Sequence, residues 1–171
     1  MEFYRPAPLD TGKHIREGFN CGEPTLDEWL RRYAGQNRKG NTAATWVIAD
    51  DQYRVVCYAT LTMTSIDRSA SPPLLAKGAP AQVPALLLGR LATDRTVARM
   101  GLGTQMVKHV LATAVELNHK AACRAVVVNA LNIDAYNWWE SFGFVPLDPQ
   151  DGANLDLYLL TKDIEATLAR L

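Results

Sequence analysis

Long apolar runs are missing from this sequence. No uninterrupted stretch of about 18 apolar residues occurs, so we predict no membrane span and no membrane partner. The opening segment MEFYRPAPLD also lacks the basic-then-apolar layout of a secretory signal peptide. We therefore expect a cytoplasmic protein.

Cysteine is scarce, since Cys21, Cys57 and Cys123 are its three examples. They are widely spaced and form no CxxC pair. An odd number at such spacing is typical of buried thiols in a reducing compartment. We predict neither a disulfide nor a metal site.

A net excess of charge is absent too, because 18 Lys and Arg balance 18 Asp and Glu. This balance alone argues against a general nucleic-acid binder. The charge is unevenly distributed, however, with a basic middle (residues 90–124) and an acidic end (residues 134–171). The basic middle favours a local site for phosphate groups, either of a cofactor or of an anionic acceptor.

What the sequence does contain is the composition of an ordinary globular domain, with 48% hydrophobic and 21% charged residues. Its 171 residues are enough for a substantial core. We predict a single domain over residues 1–171.

The most informative stretch runs from Leu86 to Val115. The apolar run from Leu86 to Ala92 predicts a strand that is covered on both faces. A long amphipathic helix follows Gly101 and Gly103, because apolar residues then recur at helical spacing. This stripe consists of Leu102, Met106, Val107, Val110, Leu111, Ala114 and Leu117.

The segment Arg99 to Thr104 (RMGLGT) is therefore predicted to turn from a strand into a helix. Glycines let the backbone approach a ligand closely, and the first N–H groups of a helix carry positive dipole character. Such a turn suits a phosphate. A GxG pattern is weak evidence by itself, because a tight turn also needs glycine for its own backbone angles.

The remaining pattern predicts a short edge strand at 3–6, a strand pair at 42–49 and 53–65, and later strands at 123–128, 144–147 and 155–160. A first helix is expected after Pro24, with Thr25 and Glu28 as a capping box. Asp134 is expected to cap a helix over 135–142, and a terminal helix covers 164–171. Residues 35–41 form a loop or a second helix, and the proline-rich segment 67–84 is a long functional loop or lid.

This order predicts an α/β fold with a mixed sheet. Its fourth and fifth strands are parallel and joined by the long helix. A ligand cleft is expected beyond the ends of these two strands, between Leu91–Thr93 and Asn129–Asn132.

The stretch around the glycines resembles motif A of the GCN5-related N-acetyltransferases (GNAT), in which an apolar strand leads into Q/R-x-x-G-x-G/A. The family's Gln or Arg falls on Ala98 here, which is a departure, with Arg95 and Arg99 close by. The resemblance implies the GNAT fold, a mostly antiparallel mixed sheet whose parallel unit is splayed around acetyl-CoA. It assigns cofactor binding to Leu91, Ala92, Thr93, Arg99, Met100, Gly101, Leu102, Gly103, Thr104 and Asn132.

Further segments resemble one branch of that superfamily, the toxin acetyltransferases of bacterial toxin–antitoxin pairs. These segments are FNCGE at 19–23, LLLGRLATDR at 86–95 and WESFGF at 139–144. The branch implies transfer of acetyl from acetyl-CoA to the α-amine of aminoacyl-tRNA, which inhibits translation. It also implies a ribbon-helix-helix antitoxin, operator DNA bound through that antitoxin, and a homodimer.

One departure from the branch concerns its general acid, a tyrosine that protonates the leaving thiolate. Counting back from Phe142, that position is Trp139. An indole N–H donates a hydrogen bond but does not supply a proton. Tyr136 lies one helical turn earlier and is the candidate catalytic residue, while water as the acid and a weakened chain stay open as alternatives.

Basic residues outside the turn are candidates for binding the acceptor. Arg90 comes first because it precedes the acetyl segment, and Arg31, Arg32, Arg38 and Lys39 form a second basic group. Two other functions remain open at this point. One is acetylation of a small amine or a protein N-terminus, and the other is a catalytically weakened module that binds CoA.

Overall fold

Seven strands form a mixed sheet in the computed structural model, which describes residues 1–171. Their order in the sheet is β1-β2-β3-β4-β5-β7-β6. The strands are β1 (Ala7–Pro8), β2 (Ala44–Ala49), β3 (Val55–Asp67), β4 (Gln82–Thr93), β5 (Ala125–Asn129), β6 (Val145–Pro146) and β7 (Asp156–Leu160).

Six α-helices accompany the sheet, and none combines the length and apolar character that a membrane span requires. A π-helical segment, Trp29–Tyr33, continues directly from the first helix into the second. The helices are α1 (Pro24–Glu28), α2 (Ala34–Lys39), α3 (Pro73–Ala76), α4 (Leu102–Lys120), α5 (Ile133–Glu140) and α6 (Ile164–Leu168). Short 3-10 turns cover Arg68–Ala70, Arg95–Val97 and Thr161–Asp163.

The parallel pair of strands is confirmed. Ala85–Leu88 of β4 pairs with Ala125–Val128 of β5 in parallel register, and α4 connects the two strands. The pairing ends at Leu88 and Val128, whereas β4 continues to Thr93. The pairs β1–β2, β2–β3, β5–β7 and β6–β7 are antiparallel, so the mixed, mostly antiparallel sheet is confirmed as well.

The chain divides into two compact units. The first contains residues 1–62 and 89–109, and the second contains residues 63–88 and 110–171. The core of the first unit surrounds Tyr58, whose ring stacks on Trp29 and meets the edge of Phe19. The Tyr58 hydroxyl donates a hydrogen bond to the Leu26 carbonyl at 2.7 Å, so this buried phenol is satisfied.

The second unit has its own core, in which apolar side chains of β4, β5 and β7 pack together. Leu75 of α3 is fully buried in this core. The Arg124 guanidinium also donates a hydrogen bond from Nε to the Leu75 carbonyl at 2.9 Å. These contacts hold the proline-rich segment 67–84 against the core. Its prediction as a long loop is wrong, because the segment contains α3 and the start of β4, whereas its role as a functional segment or lid stays a prediction.

Local expectations for two helix starts are also wrong. Pro24 takes the first position of α1 and Glu23 precedes it without a side-chain cap, so no capping box forms at Thr25. Proline suits this position because its missing N–H would have no partner there. At α5 the cap is Asn132, whose side-chain oxygen accepts from the Ala135 N–H at 2.9 Å, and Asp134 lies inside the first turn.

Two further segments differ in extent from the expectation. The edge strand lies at Ala7–Pro8, with Phe3 forming a single bridge to Asp50, because Pro6 and Pro8 cannot donate to a ladder. Residues 35–41 continue the helix as α2 up to Lys39. Of the cysteines, Cys57 and Cys123 are buried as predicted, whereas Cys21 is partly exposed.

Candidate functional site

The turn before α4 presents a row of free backbone donors. The N–H groups from Arg99 to Thr104 donate no hydrogen bond within the protein, and the first helical bond runs from Gln105 to the Gly101 carbonyl. The amides of the first helical turn are unpaired by geometry, and they point along the positive end of the helix dipole. The turn therefore offers several donors to one anion.

Left-handed backbone shapes this turn. Arg99 has φ of 62° and Gly101 has φ of 80°. No heavy atom lies within 4 Å of the position that a Cβ would take at Gly101. Glycine is therefore favoured there by the left-handed backbone angle and not by steric crowding. Alternating left- and right-handed residues turn successive N–H groups toward one side, which makes an anion-binding concavity. A pyrophosphate fits this donor set.

The end of β4 lies directly before the turn. Ala92 is buried, and Leu91 and Thr93 are half-buried. The Thr93 hydroxyl is 3.5 Å from the Cys57 sulfur, which in turn lies 4.0 Å from the Leu102 carbonyl oxygen. Burial raises the pKa of the Cys57 thiol to about 11, so this cysteine packs the end of the strand against α4 and is no nucleophile.

Asp94 joins the end of β4 to the segment 19–23. Its carboxylate accepts hydrogen bonds from the Asn20 N–H at 2.9 Å and from the N–H and hydroxyl of Thr96 at 2.9 and 2.6 Å. The Arg95 N–H donates back to the Asn20 carbonyl at 2.9 Å. Burial would raise the pKa of Asp94, but these bonds to the ionised form lower it below its ordinary value.

Arg90 stacks on an aromatic ring. Its guanidinium carbon lies 4.1 Å from the centroid of the Trp29 ring, and Trp29 stacks in turn on Tyr58. Partial burial lowers the pKa of Arg90, although an arginine remains charged at neutral pH. The stack holds one cation in a defined place on β4, one residue before the segment Leu91–Thr93.

The second basic group lies on the continuous helix formed by α1, the π-helical segment and α2. Arg31 donates to the Phe19 carbonyl at 3.0 Å, and Arg32 pairs with Glu28 at 3.1 Å. Arg38 and Lys39 are exposed in the last turn of α2. All five candidate acceptor residues thus belong to the first compact unit, together with the turn 99–104.

The candidate acid lies in the second unit. Trp139 is buried among Trp138, Phe142 and Phe144, with ring centroids 4.9 to 6.1 Å away. Its position is therefore a packing position. Tyr136 is half-buried on the same helix, and burial together with the neighbouring Glu140 raises the pKa of its phenol.

Asn132 plays a defined local role that the sequence pattern did not reveal. Its side-chain oxygen caps α5 by accepting the Ala135 N–H. The stacking of Arg90 on Trp29 and the contact of Cys57 with Thr93 were likewise not anticipated. Both join residues that are distant in sequence, so no spacing pattern indicates them.

Residues 13–144 match the acetyltransferase (GNAT) family. The chain is 33% identical over 152 residues to the tRNA-acetylating toxin of Mycobacterium tuberculosis, and the alignment covers 88% of each chain. It is similar to the solved structure of AtaT complexed with acetyl-methionyl-tRNAfMet, with a TM-score of 0.87, 25% identity and coverage of 96% and 98% of the two chains. The fold also resembles that of AtaTR bound with acetyl-CoA, with a TM-score of 0.80, 24% identity and coverage of 96% of each chain.

Proposed function

The chain belongs to the acetyltransferase (GNAT) family, and on this premise we propose that it transfers the acetyl group of acetyl-CoA to the α-amine of aminoacyl-tRNA. Such a product cannot enter peptide synthesis as a free amine, so the protein acts as a toxin that inhibits translation. The observation that supports binding of the acetyl donor, acetyl-CoA, is the row of free amides from Arg99 to Thr104. The choice of aminoacyl-tRNA as the acetyl acceptor is supported by the relatives that are named for tRNA acetylation or were solved with an acetylated tRNA.

The donor is held mainly by backbone. The amides from Arg99 to Thr104 bind the pyrophosphate of acetyl-CoA, and its pantetheine arm lies along Leu91–Thr93, where β4 continues beyond its pairing with β5. A backbone N–H of this segment donates to the thioester oxygen as negative charge develops. Loss of one such donor typically lowers the rate by roughly two to three orders of magnitude.

The acceptor amine attacks as the neutral base. A plain α-amine has a pKa of about 8, and the ester linkage to tRNA lowers it further, so a large fraction is neutral near pH 7 without a dedicated base. The amine nitrogen bonds to the carbonyl carbon, the carbon–sulfur bond breaks, and the amine proton passes to water. The thiolate of CoA leaves and needs a proton.

We assign delivery of that proton to Tyr136. Its position one turn before Trp139, on the helix that carries the tyrosine in the toxin branch, supports this role. Trp139 itself is buried in the aromatic cluster and holds no transferable proton. The raised pKa keeps the Tyr136 phenol protonated throughout the neutral range.

The acceptor is bound through its phosphates. Arg90, held on Trp29, lies closest in sequence to the acetyl segment, and Arg31, Arg32, Arg38 and Lys39 line the helix of the same unit. Phosphate contacts of this kind position an RNA without reading its sequence. The residues support binding of all tRNAs, and the aminoacyl group is selected elsewhere.

Further parts of the proposal follow from the toxin branch. We propose a ribbon-helix-helix antitoxin that binds operator DNA in complex with this chain, a homodimer, and a cytoplasmic place of action where aminoacyl-tRNA is found. We also propose that residues 1–171 act as one acetyltransferase domain, which is supported by a family match that includes parts of both compact units.

A second candidate function is a module that binds CoA without turnover. The burial of Trp139 at the family's tyrosine position favours it. This candidate shares the donor site with the enzyme but has no acid for the leaving thiolate. Acetyl-CoA binding in the absence of acetyl transfer distinguishes it.

The deciding experiment is an acetyl-transfer assay with radiolabelled acetyl-CoA and a full set of charged tRNAs. We expect label on a subset of aminoacyl-tRNAs, as N-acetyl groups that survive mild base after the ester is cleaved. Absence of label on every tRNA, with acetyl-CoA still bound, would refute the tRNA acetylation and leave two functions, the second candidate and acetylation of a small amine or a protein N-terminus.

A further inference from the structure

A depression of about 430 Å³ lies in the first compact unit, apart from the turn 99–104. Its lining includes two arginines, Arg31 and Arg95. Asn20, Gly22 and Asp27 complete its polar wall. Arg95 has no role in the proposed reaction, although it belongs to the segment LATDR that marks the toxin branch.

Neither guanidinium forms an ion pair within 4 Å, although the charges of Arg95 and Asp94 do act on each other. Arg31 donates a hydrogen bond to the Phe19 carbonyl and forms no ion pair, whereas its neighbour Arg32 forms an ion pair with Glu28. The Asp94 carboxylate beside Arg95 is occupied by the Asn20 and Thr96 donors.

The remaining acid of the depression is Asp27. It is 6% exposed and accepts the Cys21 N–H at 2.8 Å, so its charge is partly compensated. Two guanidiniums against one bonded carboxylate leave a net positive wall. A wall with this net charge attracts an anion.

The backbone at Gly22 makes room for the Arg95 side chain. Gly22 has φ of 95°, and a Cβ at this position would lie 3.0 Å from the Arg95 Nε. A side chain is therefore disfavoured on two grounds, the left-handed angle and the contact with the guanidinium. The paired hydrogen bonds between Asn20 and the Asp94–Arg95 segment fix the loop that carries this glycine.

We propose that Arg31 and Arg95 form a binding pocket for a phosphate group. A guanidinium offers paired N–H donors that match two phosphate oxygens, and a second guanidinium completes the neutralisation. The phosphate belongs either to the backbone of an acceptor nucleic acid or to the 3′-phosphate of CoA. The first source rests on the proposed function, and the second rests only on CoA binding.

The test compares Arg95→Gln and Arg31→Gln with Arg170→Gln, which removes the same charge from an exposed arginine of the second unit. Dissociation constants are measured for uncharged tRNA at several salt concentrations, for CoA and for 3′-dephospho-CoA. If the pocket binds a backbone phosphate, each pocket variant raises the dissociation constant for tRNA roughly tenfold. It also reduces the slope of log K against log salt concentration by about 1. CoA and 3′-dephospho-CoA then bind as they do to the wild type.

If the pocket binds the 3′-phosphate of CoA, the same variants raise the dissociation constant for CoA roughly tenfold and leave that for 3′-dephospho-CoA unchanged. Gly22→Ala keeps both charges but must shift the Arg95 guanidinium, so it should weaken binding of the same ligand by less than Arg95→Gln does, in a protein whose melting curve shows a folded chain. Affinities for tRNA and CoA that match those of Arg170→Gln in all pocket variants would overturn the pocket.

Acetyl transfer by the wild type is measured in the same preparation. If the wild type acetylates aminoacyl-tRNA while the pocket variants bind both ligands normally, the pocket is refuted together with the acceptor role of Arg31, and acetyl transfer to aminoacyl-tRNA stands. If the wild type neither binds nor acetylates tRNA, the proposed function is refuted, and the comparison of CoA with 3′-dephospho-CoA decides the pocket.

Discussion

The guanidinium of Arg90 stacks on the ring of Trp29, 4.1 Å from its centroid, and thereby joins β4 to the π-helical segment. Trp29 stacks on Tyr58, so the cation rests on a buried aromatic pair. π-helical turns occur frequently at functional sites, and here the turn carries the ring that holds the cation next to Leu91. The contact makes Arg90 a rigid, charged group without a carboxylate partner.

Replacing Arg90 by methionine should weaken acceptor binding. Arg90→Met keeps most of the apolar stem but removes the charge, so we expect a higher KM for aminoacyl-tRNA, little change in kcat and an unchanged affinity for acetyl-CoA. Loss of the cation–π contact should also lower the free energy of unfolding by about 0.5–1 kcal/mol. Arg170→Met is the matched control, because Arg170 is exposed and lies in the second compact unit, outside the proposed acceptor residues. Equal KM values for the wild type and Arg90→Met would contradict the role.

Adding a methyl group at Gly101 should weaken binding of acetyl-CoA. A left-handed alanine costs about 1–2 kcal/mol, and the turn can relieve this strain by moving its amides away from the pyrophosphate. If about 1.4 kcal/mol is relieved in this way, the dissociation constant of acetyl-CoA rises about tenfold. Isothermal titration calorimetry measures it directly.

Gly78→Ala is the control for Gly101→Ala. Gly78 has φ of 71°, and no heavy atom lies within 4 Å of its Cβ position, so the conformational strain is comparable. Gly78 belongs to the other compact unit, in the segment between α3 and β4. We expect a similar loss of stability with unchanged acetyl-CoA binding. Equal weakening by both variants would show that the turn 99–104 has no special role.

Removing the Tyr136 hydroxyl should slow the chemical step. Tyr136→Phe is expected to lower kcat about 100-fold, the lower range for a general acid, with the melting temperature unchanged. The raised pKa predicts that the wild-type activity falls on the alkaline side only above about pH 10, as the phenol ionises. Tyr33→Phe removes the hydroxyl of an exposed tyrosine and serves as control. Full activity of Tyr136→Phe would assign the proton to water.

Trp139 should contribute mainly to stability. Its ring is 6% exposed and contacts Trp138, Phe142 and Phe144, so Trp139→Ala leaves a large cavity and should cost about 3–5 kcal/mol. Trp138 is 37% exposed, and Trp138→Ala should cost less. Urea unfolding at constant pH measures both. A larger loss for Trp138→Ala would contradict the packing described for this cluster.

Asp94 should make stability depend on pH in the acid range. Its pKa is lower in the folded chain than the value of about 3.9 in an unfolded one, so its contribution is complete above that value and is lost as the pH falls through the folded pKa. Asp94→Asn should lower the free energy of unfolding by about 1–3 kcal/mol at pH 7. The difference from the wild type should shrink below about pH 4. The exposed Asp51→Asn is the control, and a difference that stays constant with pH would refute the account.

Local patterns in the sequence were sufficient for most elements of the fold. The apolar run before Thr93 and the helical stripe after Gly101 predicted β4 and α4, because strand and helix periods are properties of neighbouring residues. The expected parallel pair followed from the long helix that joins the two strands. Helix starts were predicted less well, since Thr25, Asp134 and Asn132 are all capable caps and residue type alone does not select among them. Proline begins α1 without a side-chain cap, and Asn132 caps α5.

The sequence by itself determined the glycine turn, the order of strands and helices along the chain, and the likeness to an acetyltransferase family. Each of these depends on residue types at fixed short spacing. Tertiary structure alone decided that Arg90 meets Trp29, that Arg95 lies across Gly22 and that Trp139 is enclosed by aromatic rings. The first two pairs join segments about 60 or more residues apart, and only the folded core brings them together. The interaction energies of these pairs depend on desolvation and on the angle between the groups, and neither quantity can be read from the spacing of residues in the sequence.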